Sequence, residues 1–417
     1  MKVETRRPAL GRVFASFHSY NFRVFWFGQL ISQIGTWMQI VALPWLVLEM
    51  THSAVALGTV TALQFVPILC VVLFAGVIVD RFPKHRLLLV TQSAALAQAL
   101  TLAALTASGR IQVWHLYALA LVIGFVNAFD QPARQALVTE MVGRENVVNA
   151  VGLSSAQFSA ARMVGPALGG LVIAHFGSAT CFFLNAASFL AVIFSLLALR
   201  PGEFHSVPKR TVRGNMLRDL GEGLRFLLTT PRMTVAIIIL AGNGAFIYST
   251  SSIIPLIAEY GLHVGASEFG LLVASVGFGS VMMALTMASH GRSSQRLMIS
   301  SAIAFAALYF ALAFVPNFGV AFVLLAFVGA AIQAFGTSVN SLLQLGSPDH
   351  LRGRSMAVFT LLTNGIIPLG ALFSGFVTAA AGIRFTVAGE ACICFVALGG
   401  AAVYRARVKT AAALAYS

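Results

Sequence analysis

The sequence predicts an all-α polytopic membrane protein of twelve transmembrane helices, arranged as two six-helix bundles. Three observations predict it. Hydrophobic residues make up 58% of the 417 and charged residues only 10%, with a mean hydropathy of +0.87, far outside the soluble range. Apolar runs of roughly 20 residues, the length that crosses a bilayer, begin near Asn21, Ala54, Leu87, Gln112, Asn146, Ala179, Thr234, Ala266, Ser293, Gly319, Arg352 and Ile383. The halves also echo one another: Leu43-Pro44, Glu49 and Leu57-Gly58 correspond to Ile254-Pro255, Glu259 and Phe269-Gly270, and Gly143-Arg144 corresponds to Gly353-Arg354. Parallel repeats of this kind suggest bundles related by an axis along the membrane normal, with a substrate site between them near the midplane.

Residues 1–20 form a basic, partly amphipathic cytoplasmic lead that enters the first span with no small-residue cleavage site, as an uncleaved surface helix does. Residues 21–200 hold the first six spans, 201–232 a cytoplasmic linker, 233–405 the second six, and 406–417 a cytoplasmic tail. The linker carries Pro208-Lys209-Arg210 and then an amphipathic segment, Leu217 to Leu228, suited to the membrane surface. With both termini inside, the cytoplasmic loops hold Arg81, Lys84, Arg86, Arg144, Arg200, Arg292, Arg296, Arg352 and Arg354, while the opposite side keeps only Arg110 and Arg384. That asymmetry accounts for the net charge of +14 without a nucleic-acid partner. Cys70, Cys181, Cys392 and Cys394 all fall in apolar spans, where a thiol behaves as a small hydrophobe. Neither a disulfide, a metal nor a cofactor is expected.

Charges inside spans are few. Asp130 lies about two turns from the cytoplasmic end of the fourth span, with Asn127 and Arg134 on the same face by helical spacing. It reads either as a structural ion pair with Arg134 or as a proton-coupling acid. The fifth span carries Arg162-Met163-Val164-Gly165-Pro166-Ala167-Leu168-Gly169-Gly170, a permanent charge followed by a helix breaker and close-packing glycines. Gly165, Pro166, Gly169 and Gly170 are expected to bend the helix and pack it on a second-half helix, the eighth. No carboxylate lies four residues from Arg162 on its own helix, so its partner must come from another helix, from a carbonyl or from an anionic substrate, with Asp130 the first candidate. Glu49 and Glu259, at matching outer ends of the first and seventh spans, are rim residues or an outer gate and proton exit; Glu390 lies in the twelfth span and is grouped with these outer-end acids.

The loop after the second span reads Gly76-Val77-Ile78-Val79-Asp80-Arg81-Phe82-Pro83-Lys84-His85-Arg86. Asp80 can accept from the N-terminus of the eleventh span, and Arg81, Lys84 and Arg86 can pair with Glu140 or Glu145, making a cytoplasmic latch. For the basic residues, plain positive-inside topology is an equal reading. The matching second-half loop, Ala288 to Arg296, lacks the acid, so the latch is expected to be asymmetric.

This loop resembles the G-x-x-x-D-R-x-G-[RK]-[RK] loop of the major facilitator superfamily, with Pro83 in place of the preferred glycine. Asp130-Gln131-Pro132-Ala133-Arg134-Gln135 and the Gly165-Pro166…Gly169-Gly170 run resemble the branch of enterobactin exporters and macrolide-efflux permeases, and the Gly-Pro run alone resembles drug-proton antiporters. The resemblance implies a central cavity lined by spans one, four, seven and ten. Mid-span polar and aromatic residues there are Gln33, Trp37, Asn243, Phe246, Tyr248, Gln333 and Asn340, joined by Gln64 and Asn364 from the wall helices. Neutral hydrogen-bonding groups among aromatics suit a large amphipathic ligand better than a small ion.

No G-x-x-x-x-G-K-[ST] or H-E-x-x-H motif and no long soluble segment is present, which argues against an enzyme. Taken with the resemblance, the sequence implies a monomeric transporter of a bacterial cytoplasmic membrane. It would couple protons to export of amphipathic small molecules such as siderophores or drugs. A uniporter or lysophospholipid flippase, and a non-transporting membrane sensor or assembly protein, are the alternatives.

Overall fold

The computed structural model describes residues 14–205, 216–290 and 294–415; within them the side chains of 72–77, Asp80, Arg144, 216–217, Asp219, His290, 349–350, Lys409 and 411–415 lie outside the described set. The first half opens with a 3-10 turn (Ala15–His18) and continues as α1 (Tyr20–Thr51), α2 (Ala54–Arg81) and α3 (Lys84–Ala107). The stretch Val113–Leu197 is helical throughout except at Gly143 (φ 70°, ψ 170°) and Gly177 (φ 79°, ψ 166°). These left-handed conformations suit glycine and divide the stretch into α4 (113–142), α5 (144–176) and α6 (178–197). Cys181 donates to the Gly169 carbonyl at 3.4 Å, which requires the chain to fold back at Gly177.

In the second half, α7 (Met216–Thr229) precedes α8 (Pro231–Tyr248), which continues as α9 (Thr250–Leu256) and a π-helical turn (Ile257–Leu262). Then come α10 (Ala266–His290), α11 (Gln295–Leu312), α12 (Phe318–Gly346), α13 (Asp349–Gly365), α14 (Ile367–Ala381) and α15 (Ile383–Ala415), with α13 and α14 forming one crossing.

Eleven helices among the described residues are long and apolar enough to cross a membrane. One, Glu145–Leu197, has 53 residues. At 1.5 Å per residue it would be about 80 Å long, more than twice a hydrocarbon core of roughly 30 Å. The break at Gly177 makes two crossings of it, giving twelve spans. Every expected start lies within three residues of an observed one.

Local chemistry sets the ends. Ser19, Ser53, Ser294 and Asn317 cap α1, α2, α11 and α12 by accepting from Phe22, Ala56, Leu297 and Val320 backbone N–H groups at 3.0–3.3 Å. The amphipathic α7 buries Leu227 completely and leaves Arg218 and Arg225 exposed. Within the first bundle the Gln39 amide joins Gln98 (3.4 Å) and Asn185 (2.7 Å), while Asn21 and Arg200 exchange hydrogen bonds at 3.1 and 2.8 Å, tying the start of α1 to the end of α6.

Two seams of small residues join the bundles. Along α5 and α10, a methyl at Gly270 would stand 2.5 Å from the Pro166 carbonyl oxygen, one at Gly170 2.6 Å from that of Ala266, and one at Gly277 2.8 Å from that of Arg162. Along α2 and α14, a methyl at Gly58 or Gly375 would meet Ala371 or Ala54 carbonyl oxygens at 2.6 Å. Backbones this close depend on glycine, and hydrocarbon rewards such contact because lipid provides no hydrophobic drive between helices. Both seams run from mid-membrane toward the face opposite the linker.

Pro166 leaves the helical dihedrals of α5 intact, so the breaks fall at Gly143 and Gly177 and not at the expected bend. The glycine run also faces two helices. Gly165 and Gly169 pack on Trp37 and Met38 of α1, and only Gly170 meets α10.

Replacing Gly270 by leucine is expected to overpack the α5–α10 seam at a cost of ~1–3 kcal/mol. The measurement is the thermal unfolding midpoint in detergent. Gly399→Leu, whose added side chain meets open space, should leave that midpoint near that of the unmodified protein.

Candidate functional site

A cavity of about 700 Å³ lies between the bundles. The first half contributes Thr36, Trp37, Thr61, Gln64, Phe65, Asn127 and Arg162; the second contributes Tyr248, Thr250, Ser251, Gln333, Thr337, Asn340, Phe359 and Asn364. The seventh span reaches the cavity because its helix breaks at Ser249 between α8 and α9. That break turns Thr250, Ser251 and Ser252 inward, just before Pro255 withholds a backbone donor and the π turn begins. Pro44 and Ile254, members of the repeated Leu-Pro and Ile-Pro pairs, line the cavity from opposite halves.

Of the residues expected in the cavity, Trp37, Gln64, Tyr248, Gln333, Asn340 and Asn364 line it, and Gln33, Asn243 and Phe246 do not. Gln33 is half-buried elsewhere on α1. Asn243 and Phe246, three residues apart, share the α8 face turned into the second bundle. There Phe246 packs edge-on against Phe373 at 5.6 Å, and neither amide atom of Asn243 has a hydrogen-bond partner. Thr250, Ser251 and Thr337 are lining residues that sequence reasoning missed; the Ser-Thr-rich stretch before Pro255 was the signal for the first two.

Asp130 is buried at 2% exposure and pairs with Arg134 one turn along α4. Two donors from α3 complete its shell: Thr91 at 2.8 Å and Gln92 at 2.7 Å. The expected contact between Asp130 and Arg162 is therefore absent, because the carboxylate is already satisfied by nearer groups. Arg162 turns into the cavity instead, with its guanidinium carbon 5.8 Å from the centre of the Trp37 ring. No carboxylate among the described residues comes within ion-pair distance of it.

Glu390 differs most from expectation. It is not an outer-rim acid; it is fully buried among α15, α11 and α14. Ser374 donates to its Oε1 at 2.5 Å, whereas Oε2 has no partner and no cation among the described residues pairs with it. The Tyr309 hydroxyl, also unpartnered, adjoins Glu390 on one side and the cavity-lining Thr250 on the other.

The matching outer acids diverge. Glu259 lies 3.7 Å from His52 of the first half, while Glu49 is exposed and forms no ion pair among the described residues. At the linker face, Gly76 and the Asp80 side chain lie outside the described residues. Lys84 is a charged neighbour of Glu140, whereas Arg81 and Arg86 are exposed and reach neither Glu140 nor Glu145. An ion pair that sequence reasoning did not anticipate joins Arg354 of α13 to Glu222 of α7, with Gly223 packed on the Arg354 backbone.

A family model described as "transmembrane secretion effector" matches residues 12–417. The chain belongs to that family, within the major facilitator superfamily, and is a multi-pass membrane transporter and not an enzyme. It is 30% identical over 372 residues to the multidrug efflux pump Tap of Mycolicibacterium fortuitum, covering 86% of this chain and 90% of that one. It is 24% identical over 367 residues to the staphyloferrin A transporter of Staphylococcus aureus (87% and 91% covered), and 26% identical over 343 residues to the enterobactin exporter EntS of Shigella boydii (81% and 80%). In three dimensions it is similar to the nucleoside transporter NupG, with a TM-score of 0.72 at 13% identity over 92% of this chain and 99% of that one. An inward-facing bacterial homologue of the lysosomal transporter Spinster gives a TM-score of 0.72 at 14% identity over 93% and 97%.

Removing Arg134 while keeping its buried partner is expected to cost about 3–5 kcal/mol, and removing both charges together much less. Unfolding of Arg134→Gln, Asp130→Asn and the double variant in detergent checks this. The double variant should be more stable than Arg134→Gln alone.

Proposed function

We propose that this member of the family is a proton-coupled exporter of amphipathic small molecules, drug-like or siderophore-like, working as an antiporter by alternating access. The observation that carries the reading is the cavity between the bundles. Its volume lies in the range of small-molecule sites, and its walls mix neutral hydrogen-bonding groups with Trp37, Phe65, Tyr248 and Phe359. Both halves contribute, so a relative movement of the bundles remodels the site while a ligand occupies it. The small-residue seams hold the face away from the linker shut, and their separation is the movement that would expose the ligand there. The functions of the relatives, multidrug efflux and enterobactin export, support the outward direction.

Coupling requires a group whose protonation differs between states. Among the described residues, Asp130 and Glu390 are the buried acids in the spans, in contrasting surroundings. Protonating Asp130 would release Arg134, Thr91 and Gln92 and loosen α3 from α4. Glu390 lacks a cation, and Tyr309 and Thr250 lie between it and the cavity. In this reading Glu259 and His52 latch the outer face, and Glu222 and Arg354 hold α13 to the surface helix. The chain acts as a monomer in a bacterial cytoplasmic membrane, with the linker and both termini in the cytoplasm, as the basic loops favour.

Inside-out vesicles containing the full chain test this, with uptake of a panel of fluorescent amphipathic drugs driven by an imposed pH gradient. Uptake should collapse on adding a proton-potassium exchanger, and Glu390→Gln or Asp130→Asn should lower the gradient-driven component at least about tenfold, the general scale of losing a needed proton carrier. Flux indifferent to the gradient would point to a uniporter or flippase. Absence of any flux would point to a non-transporting role.

A further inference from the structure

Among the described residues, Arg162 is the single charged side chain lining the cavity. Its guanidinium stays protonated at any physiological pH, with five donors and no acceptor. No described carboxylate pairs with it, and the Trp37 ring at 5.8 Å contributes only a face of partial negative charge. The position is not one from which the side chain can withdraw to water at a helix end. Arg162 sits mid-way along α5, with its backbone carbonyl pressed against Gly277 of α10 and Gly165 one turn on pressed against Trp37. A cation fixed in a membrane interior without a counter-charge is costly, and an incoming anionic group relieves that cost.

The rest of the lining offers no competing charge. Asn127, Gln64 and Gln333 are neutral and amphoteric in hydrogen bonding, and Phe65 is an apolar wall. A ligand matched to this arrangement has one acidic oxygen group for Arg162 and an apolar or aromatic body for Trp37 and Phe65. The geometry points to a cavity that selects amphipathic organic anions, carboxylates or acidic phenolates, with Arg162 as the anchoring residue of an anion subsite. The fork of the guanidinium can hold such a group by two parallel charge-assisted hydrogen bonds, which a neutral amide cannot reproduce. A cationic amphiphile of the same shape meets like charge at the same point and is disfavoured. The inference rests on reading the cavity as the place where substrate binds, and narrows the substrate class within it.

Equilibrium binding to the purified full chain in nanodiscs tests it without requiring transport. Three probes share one skeleton and differ only in charge: pyrenebutyrate, pyrenebutyramide and pyrenebutyl-trimethylammonium. Energy transfer from protein tryptophan to pyrene reads the binding. The carboxylate is expected to bind at least about tenfold more tightly than the amide, the scale of one hydrogen bond to a charged group, and the ammonium probe most weakly. Arg162→Gln should bring the carboxylate down to the level of the amide, and measurable binding of the amide shows that the variant is folded. Should Arg162→Gln fail to fold, Arg162→Lys decides: a reduced carboxylate preference with unchanged amide binding supports the site, because a point charge cannot replace the fork.

Equal binding of carboxylate and amide by the unmodified chain overturns the inference, as does a preference that survives in both Arg162 variants. Loss of the carboxylate preference on replacing acetate by chloride at moderate, equal ionic strength would show that the guanidinium takes small anions indiscriminately, and would also overturn it. Gradient-independent flux sinks antiport without touching the order of the probes. Equal probe binding alongside gradient-driven export sinks the anion subsite alone.

Discussion

Hydrocarbon cannot solvate a polar group, and nearly every feature of this protein follows from how that constraint is met. Backbone groups are met by helix formation, since no strand occurs among the described residues. Side-chain groups are met by local pairs such as Asp130 with Arg134, or by small networks such as Gln39 with Gln98 and Asn185. Against that background the groups left unmet stand out. Arg162 faces the cavity without a counter-charge, Glu390 presents one unpartnered oxygen inside the second bundle, and Asn243 leaves its whole amide unbonded. In water such groups would be unremarked; here each is a cost that packing must offset.

The bundles meet through surfaces that are nearly all backbone and methyl. At the α5–α10 seam Gly170, Gly270 and Gly277 let carbonyl groups approach where any larger side chain would intervene. Such contacts have high van der Waals complementarity and few directional hydrogen bonds, so they separate and re-form without stranding donors or acceptors. The polar connection between the halves there, His52 to Glu259, is long and partly exposed, and adds little to holding the bundles together.

How much of this was readable beforehand depended on the range of the interaction. Span positions were legible because hydropathy is a property of each run alone, and every start fell within three residues. The Asp130–Arg134 pair was legible because helical spacing places residues four apart on one face. What one helix presents to another was not. Asp130 stood first among the partners open to Arg162, ahead of a carbonyl or an anionic substrate, yet Thr91 and Gln92 of α3 fill that carboxylate's shell. Glu390 was grouped with the outer-end acids of other spans, but membership of a span says nothing about which side of the helix faces the core. Gly165 and Gly169 were expected on the second half for the same reason, and instead they seat Trp37 and Met38 of the first. The Gly177 reversal was partly legible, as a boundary between two apolar runs, though not as a turn made by a single residue.

That single-residue turn has a mechanical consequence. Only Gly143 and Gly177 interrupt the helical path from Val113 to Leu197, so α4, α5 and α6 are joined with almost no slack. The second half is articulated where it borders the ligand chamber: its helices break at Ser249 and Ile366, beside the lining residues Tyr248, Thr250, Asn364 and Ile367. One wall of the chamber is thus a stiff plate and the other a jointed one. A change of chamber shape is cheapest on the jointed side, so accommodation of differently shaped cargo falls to the second bundle while the plate bearing Arg162 keeps a fixed reference position.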